Sequence, residues 1–408
     1  MNDFPDKKLD AQLAALEKEV RETREYIHSH PELSLKEFET TNLIESRLRD
    51  WGYEPFRPPG LETGAVAVLK GGGGGKGVVA LRADIDALPI REETGLPYAS
   101  KVTADLDGEE VGVMHACGHD GHTAVLLGVA RALKEFEADV PGTIVFVFQP
   151  GEEGGGGGRL MVEGGVLEDP PVQAIFAHHC RYALPTGMIE LSETPNASTD
   201  AFEITVRGRG GHAAYPHTTV DPIPVAAQVV GSLQTLVSRK SHPARPAVVT
   251  VGCIEGGTTY NVIPDVVRMK GTVRTLDPET RNLILENLGT VVRGTAEASG
   301  AEGTLEIREG YPPVRCDRGL IELVRRTAGR LFGPDKVRDQ PDQTMGGEDF
   351  AYYLEDQGGV PGVIFRVGVG GEANQHTPRF DYGAEAILPA LKIMAHVAVD
   401  FLQDQRGS

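Results

Sequence analysis

Helical apolar patterns alternate with short continuous apolar runs in the first half of the chain. The first helix is expected to end before Pro31, and further helices are predicted over residues 36–51 and 121–138. The apolar face of the first helix contains Leu9, Leu13, Leu16, Val20 and Ile27. Runs with strand character lie at residues 64–70, 77–84, 143–149 and 172–179. This alternation predicts an α/β fold with a mostly parallel sheet and helices on both of its faces.

The pattern changes at about residue 194 to the order strand, helix, strand, strand, helix, strand. This order is typical of a ferredoxin-like α+β domain. After residue 312 the α/β alternation resumes, with a helix over 317–332, a buried strand over 362–368 and a closing helix over 384–402. We therefore expect a catalytic domain formed by residues 1–193 and 313–408, interrupted by an inserted lid or dimerisation domain over residues 194–312.

Two runs of five glycines do not alter the predicted domain organisation. The run at residues 71–75 joins two predicted strands, so we expect a hairpin turn there. The run at residues 154–158 lacks the Lys-Ser/Thr pair of a phosphate-binding loop, which argues against nucleotide binding.

Composition and charge narrow the class of protein. The 408 residues include 59 acidic and 40 basic side chains, a formal net charge of -19, which argues against a nucleic-acid or anionic-membrane surface. The sequence contains no apolar run long enough to span a bilayer, and its first residues are charged, so a cytoplasmic location is expected. The four cysteines are widely scattered, unlike those of a disulfide scaffold.

The stretch HACGHDGHTA at residues 115–124 concentrates soft and borderline metal ligands. Cys117 and His119 are expected just before the helix over 121–138. The alternative is that they are capping and core residues of an ordinary helix start. Other polar residues follow the predicted strands, at the strand ends where sites assemble in open α/β sheets. They are Asp84, Asp86, Glu152, Glu153, His178 and His179.

The donor types together suit one or two divalent ions such as Zn, Mn, Co or Ni. Within this set, one carboxylate of the pair Glu152 and Glu153 can bind metal while the other takes the proton of a water, as metal-assisted hydrolysis requires. On its own the pair does not outweigh a solvated acidic turn. The combined set is Cys117, His119, Glu152, Glu153, His179 and His376.

Seven ordered motifs over nearly the whole chain carry a family resemblance. They are RADIDALPI at 82–90, HACGHDGHTA at 115–124, QPGEEGGGG at 149–157, GRGGHAAYPHTTVDPI at 208–223, NVIPD at 261–265, MGGEDFAYY at 345–353 and HTPRFD at 376–381. With these motifs the sequence resembles the amidohydrolase branch of the aminoacylase/carboxypeptidase-type dinuclear metallopeptidases. That branch includes hippurate hydrolases, N-acyl-amino-acid amidohydrolases and indole-acetyl-amino-acid hydrolases.

The resemblance implies a metal site with two ions per subunit, a supporting role for Asp84 and Glu152 as general base. Arg82 stands where other branches place a ligand histidine. The doublet His178-His179 departs from the family, and His179 is assigned from its distance to the LPTG sequence, with His178 as the alternative. The implied metal ligands are Cys117, His119, Glu153, His179 and His376.

The resemblance also assigns residues of the inserted domain. His212 would reach the active site of a partner subunit and stabilise the oxyanion, while Asn261 and Arg274 would help to hold the substrate. A homodimer or higher homo-oligomer is therefore expected, although the insertion is alternatively a lid for its own subunit. Judged from the residues alone, His212 is a loop histidine made approachable by Gly210 and Gly211.

The expected activity is hydrolysis of the amide bond of N-acyl amino acids by metal-bound hydroxide, giving a free amino acid and a carboxylic acid. The partner would then be a small N-acyl amino acid or a short peptide. A metallocarboxypeptidase or dipeptidase is the alternative enzyme, since it performs the same amide hydrolysis. A non-catalytic amino-acid-binding relative is a further alternative, and loss of the ligand set would indicate it.

Overall fold

A computed structural model describes residues 4–341 and 343–406. Its internal contacts divide the chain into two units. The smaller unit consists of Asn196–Val314 and Gln343–Glu348, and the larger unit consists of the other described residues.

The helices and strands follow one another in a mixed order along the chain. The helices are α1 (Asp6–Ser29), α2 (Phe38–Asp50), α3 (His119–Glu135), α4 (Gly157–Glu163), α5 (Pro222–Thr235), α6 (Pro278–Glu297), α7 (Arg318–Phe332) and α8 (Ile387–Arg406). The strands are β1 (Ala65–Lys70), β2 (Gly77–Asp84), β3 (Thr103–Leu106), β4 (Glu109–Gly112), β5 (Gly142–Gln149), β6 (Ala174–Arg181), β7 (Ile189–Leu191), β8 (Asp200–Arg207), β9 (Gly211–His212), β10 (Ala247–Gly256), β11 (Val262–Ile263), β12 (Val266–Thr275), β13 (Glu302–Arg308), β14 (Val337–Asp339) and β15 (Gly362–Gly368).

A seven-stranded sheet forms the centre of the larger unit, in the order β1-β5-β2-β6-β15-β7-β14. Strands β5, β2, β6 and β15 run parallel to one another, while β1 is antiparallel to β5 and β7 is antiparallel to β15. Every residue of β2 and β15 is buried, so both faces of the sheet are covered there. The predicted α/β architecture of this unit is confirmed in the form of a large mixed sheet with helices, and the parallel strands bring their carboxyl ends to one edge.

The predicted hairpin at the first glycine run is wrong. Strands β1 and β2 are not neighbours, because β5 lies between them and pairs with both. The run instead packs against the segment before β5. A Cβ atom at Gly71 would lie 2.2 Å from the carbonyl oxygen of Val140, and one at Gly75 would lie 1.9 Å from that of Pro141. Close approach of two backbones, and not a turn, therefore explains these glycines.

The smaller unit contains an antiparallel sheet in the order β10-β12-β8-β13. Alternate residues of β8 are buried, and they pack with residues of α5 and α6 in one apolar core. That core includes Phe202, Ile204, Val229, Ile284 and Leu288. A separate two-stranded ladder pairs β9 with β11 and places His212 opposite Val262.

The helices of the described residues are too short or too polar to cross a membrane.

Candidate metal site

The candidate site lies at the carboxyl ends of the parallel strands in the larger unit. Asp84 is the last residue of β2, the segment after β5 carries Glu152 and Glu153, and His179 lies near the end of β6. Helix α3 begins at His119, two residues earlier than the sequence pattern predicted, so His119 belongs to its first turn. Gly118 precedes the helix with a φ of 86°, a conformation that glycine adopts without steric cost.

The donor atoms of the five predicted ligands lie close together. One ligand atom each of Cys117, His119 and Glu153 falls within 4.8 Å of the other two. The Nε2 atom of His179 is 3.6 Å from Cys117 Sγ, and the Nε2 atom of His376 is 3.1 Å from Glu153 Oε1. Atoms bound to one zinc ion at about 2.0–2.3 Å are separated by similar distances. The arrangement therefore fits a divalent ion among these side chains.

Two histidines of this set are oriented by hydrogen bonds from their far nitrogens. His119 Nδ1 lies 3.1 Å from Asp86 Oδ1, and His179 Nδ1 lies 2.8 Å from the carbonyl oxygen of Cys180. When the ring is neutral, these acceptors place its proton on Nδ1 and leave the lone pair on Nε2. His119 Nε2 is buried and has no hydrogen-bond partner in the described residues. A buried nitrogen that lacks a partner, with its ring fixed from behind, is the arrangement of a metal ligand.

The other two nearby histidines have different surroundings. His122 Nδ1 is 2.6 Å from Asp84 Oδ1, and the backbone N–H of Cys180 donates to His122 Nε2 at 2.9 Å. Both nitrogens of His122 are thus engaged, so this ring supports the site and has no free lone pair for an ion. His178 packs edge-on against His122, with ring centroids 4.9 Å apart. Of the doublet, His179 has the Nε2 contact with Cys117, which favours it over His178 as a ligand.

Arg82 organises the carboxylates beneath the cluster. Its Nη1 donates to Asp84 Oδ2 at 2.6 Å, its Nε to Gln149 Oε1 at 2.8 Å and its Nη2 to Asp349 Oδ1 at 2.9 Å. Asp84 Oδ2 in turn lies 3.8 Å from His119 Nε2. Burial raises the pKa of Asp84, but the neighbouring charges of His119 and Arg82 outweigh it and hold that pKa well below its usual value. Asp84 is therefore an anion in the interior.

The pKa values of three proposed ligands show which of them must lose a proton in order to bind metal. Burial lowers the pKa of His119, but Asp84 and Asp86 outweigh it and raise that pKa to about 10. Burial, reinforced by Glu153, raises the pKa of the Cys117 thiol well above its usual value. Burial lowers the pKa of His179 well below its usual value, so this ring is neutral. A cation would replace the protons of His119 and Cys117.

The two adjacent glutamates differ in their contacts. The backbone N–H of Glu153 donates to Asp86 Oδ2 at 2.9 Å, and its carboxylate faces His119 and His376. The carboxylate of Glu152 is buried and accepts a hydrogen bond of 3.4 Å from the backbone N–H of Asp349. The two carboxylates can therefore have different chemical roles.

Sequence reasoning missed part of the supporting structure. Asp86 was named only as a strand-end residue, and Gln149 and Asp349 were quoted within motifs without a role. Asp349 is 267 positions from its partner Arg82, a pairing that no local spacing reveals. The motif MGGEDFAYY was the available signal, since it contains an acidic pair beside aromatic residues.

Three predicted residues lie in the smaller unit. His212 and Asn261 are exposed, and Arg274 is partly buried on β12. The backbone N–H of Ala213 donates to the carbonyl oxygen of Asn261 at 3.1 Å, so the segments that carry His212 and Asn261 are joined. The backbone N–H of Ala214 donates to His212 Nδ1 at 3.0 Å, which leaves Nε2 as the N–H group of that ring.

Comparison with known proteins gives consistent matches. The model of the peptidase family M20/M25/M40 matches residues 80–400. The N-acetylcysteine deacetylase of Bacillus subtilis (strain 168) is 42% identical over 381 residues, which cover 93% of this chain and 96% of that protein. The IAA-amino acid hydrolase ILR1-like 4 of Arabidopsis thaliana is 38% identical over 396 residues, which cover 94% of this chain and 86% of that protein.

A solved structure is similar over the same length. The crystal structure of the Bacillus subtilis YXEP protein, a dinuclear metal binding peptidase from the M20 family, has a TM-score of 0.82 with this chain at 38% sequence identity. The similarity covers 96% of this chain and 99% of that one.

Proposed function

The chain belongs to the peptidase family M20/M25/M40, and from this premise we propose that it hydrolyses the amide bond of N-acyl amino acids. It is a metal-dependent amidohydrolase. The products of the proposed reaction are a free amino acid and a carboxylic acid. The relatives named for N-acetylcysteine and for IAA-amino acids support this substrate class.

The observation that carries the proposal is the convergence of thiol, imidazole and carboxylate donors in one cluster, which is buried except for the partly buried Glu153 and the exposed His376. We assign Cys117, His119, Glu153, His179 and His376 as ligands of two divalent ions, with Mn, Zn, Co and Ni as candidates. Such ions would supply Lewis acidity, which lowers the pKa of a water and polarises the amide carbonyl. The carboxylate of Asp84 adds a negative charge beside this cluster and accepts a hydrogen bond from His122 Nδ1.

Glu152 is the general base of the proposed reaction. Its carboxylate takes a proton from the attacking water and later gives it to the nitrogen of the leaving amine. Glu152 suits this role because its neighbour Glu153 is already engaged with His119 and His376. His212 would stabilise the oxyanion through its Nε2–H group, while Asn261 and Arg274 would hold the substrate.

The domain assignment is part of the same proposal. Residues 1–193 and 313–408 would form the catalytic domain, and residues 194–312 a ferredoxin-like insertion that serves as a lid or a dimerisation domain. The order of β8, α5, β10, β12, α6 and β13 supports the ferredoxin-like assignment. A homodimer in which His212 acts on the partner subunit follows from the family resemblance.

The test is a release assay on protein stripped of metal and reloaded with Mn, Zn, Co or Ni. The substrates are N-acetyl, N-benzoyl and indole-acetyl amino acids together with unblocked dipeptides. Metal-restored release from the acylated compounds is the expected result. Release from dipeptides alone would replace the proposal with a dipeptidase. Silence across the panel in protein that binds metal would favour a non-catalytic binding protein.

A further inference from the structure

A buried arginine of α1 lies behind the proposed metal site. Arg24 is 1% exposed, and its guanidinium donates to three side chains from three other parts of the larger unit. Its Nε is 2.6 Å from Asp120 Oδ2, its Nη2 is 2.6 Å from Asp381 Oδ1 and its Nη1 is 2.9 Å from the Tyr98 hydroxyl. Neither the sequence motifs nor the proposed chemistry gives this arginine a role.

Two of these partners are close in sequence to proposed metal ligands. Asp120 directly follows His119 in the first turn of α3, and Asp381 lies five positions after His376 in the HTPRFD motif. Successive helical residues project in different directions, so His119 can face the cluster while Asp120 faces Arg24. Arg24 therefore connects the segment of His119 with the segment of His376.

The backbone at His376 has a conformation that depends on contacts with the surrounding structure. His376 has a φ of 61°, which is unfavourable for a residue with a side chain. Such a conformation persists where the surroundings fix it. At one end of the segment the backbone N–H of His376 donates to the carbonyl oxygen of Ala116 at 2.8 Å. At the other end Asp381 is bound by Arg24. These two anchors set where the His376 ring can lie.

Stability alone is a weak explanation for this arrangement. A buried ion pair loses much of its attraction to desolvation, and well-packed apolar side chains often replace such pairs without loss. A second buried polar side chain joins the same network: His28 Nδ1 lies 2.8 Å from Asp120 Oδ2. A fixed, three-way geometry is what the planar guanidinium provides beyond charge.

We infer that Arg24 is a positioning residue of the metal site, which sets the separation between His119 and His376 by binding Asp120 and Asp381 simultaneously. The inference rests on the proposed role of these two histidines as ligands. It concerns metal binding before any substrate is present.

The experiment measures metal affinity by calorimetry on stripped protein loaded with Mn or Co alone. Arg24→Lys keeps the charge but loses the planar fork, and Asp381→Asn removes the charge of one anchor and weakens its hydrogen bond, at a side chain that is one-third exposed. Both variants should bind metal about 10–100-fold more weakly, the usual cost of losing a supporting contact behind a ligand. The visible spectrum of the Co form should also change, because the ligand geometry changes.

Arg131→Met is the matched control. Arg131 of α3 pairs with Glu19 of α1, so this change breaks another ion pair between the same two helices, far along α3 from His119. The control should keep wild-type metal affinity. Thermal unfolding of the metal-free proteins distinguishes a positioning role of Arg24 from a purely structural one. A purely structural role would lower the melting temperature of the variants without changing their metal affinity.

Wild-type affinity and spectrum in both Arg24→Lys and Asp381→Asn would overturn the inference. Absence of metal binding by the wild-type protein would overturn the proposed function together with it. Weaker metal binding in the variants of a protein that hydrolyses no N-acyl amino acid would leave the inference standing and refute the substrate assignment.

Discussion

His119 in the larger unit and His212 in the smaller unit both follow a glycine, yet their surroundings are opposite. His119 is fully buried, its Nδ1 is held by Asp86, and its Nε2 lies 3.8 Å from the carboxylates of Asp84 and Glu153. His212 is exposed on a two-residue strand, and its Nδ1 accepts a local hydrogen bond from the backbone N–H of Ala214. In the larger unit, neighbouring side chains thus fix the orientation of His119 without a bound metal ion. In the smaller unit, His212 is exposed to solvent. Changes to the proposed metal ligands of the larger unit should alter metal binding, and a change to His212 should alter turnover alone.

The largest expected effect is on turnover, from Glu152→Gln. This substitution removes the base but keeps the size of the side chain, and we expect kcat to fall by about 10²–10⁴-fold. Metal content should stay at the wild-type value, because Glu152 is not among the proposed ligands. The measurement combines steady-state kinetics with elemental analysis, and near-normal turnover in the variant would refute the base assignment.

His212→Ala should lower kcat by about 10²–10³-fold, the cost of one lost oxyanion donor. Metal affinity should not change, because His212 is not among the proposed metal ligands. Calorimetry and kinetics on the same preparation check both statements.

A mixing experiment tests whether His212 acts on a partner subunit. His212→Ala protein combined with Glu152→Gln protein should regain part of the activity, since one site of each mixed dimer has both residues. Mixed dimers that are verified and remain inactive would restrict His212 to its own subunit.

The doublet in β6 offers a sharper contrast within the buried region. His179→Asn should weaken metal binding by about 100-fold or more, because it removes the nitrogen beside Cys117. His178→Asn is the matched control, at the adjacent position and also buried, and it should weaken metal binding by less than about tenfold. Calorimetric titration of both variants decides the assignment, and the reverse order would make His178 the ligand.

The buried donors also predict a pH dependence of metal affinity. Without metal, the raised pKa values keep the thiol of Cys117 and the ring of His119 protonated at neutral pH. Metal binding should therefore release about two protons, so affinity rises by about 100-fold per pH unit until His119 titrates near pH 10. Calorimetry in buffers of different ionisation enthalpy counts these protons. A pH-independent affinity would show that the two side chains are not ligands.

The sequence predicted those parts of the fold that have strong local patterns. The apolar runs of β2, β5, β6 and β15 and the periodic faces of α1, α3 and α8 were readable, because each is long enough to show its period. Strands β7 and β14 have three residues each and show none. The error at Gly71 arose because strand order is set by long-range pairing, which adjacent sequence does not encode.

The site was predictable to a similar extent. Dense motifs made Cys117, His119 and the glutamate pair candidates, since several ligand types in a few residues are informative. The supporting contacts were not readable, because Arg24 and Asp381, like Arg82 and Asp349, meet only in the folded chain. The tautomer of His119, which begins α3, likewise depends on Asp86, which follows β2.

The most direct test of the central claim is the amount and spectrum of Co bound by stripped wild-type protein and by Cys117→Ser. The account predicts about two ions per wild-type chain and a thiolate-to-cobalt charge-transfer band, which disappears in the variant. A wild-type chain that retains no cobalt, or a band that survives in Cys117→Ser, would contradict the assignment of this cluster around Cys117 as the metal site.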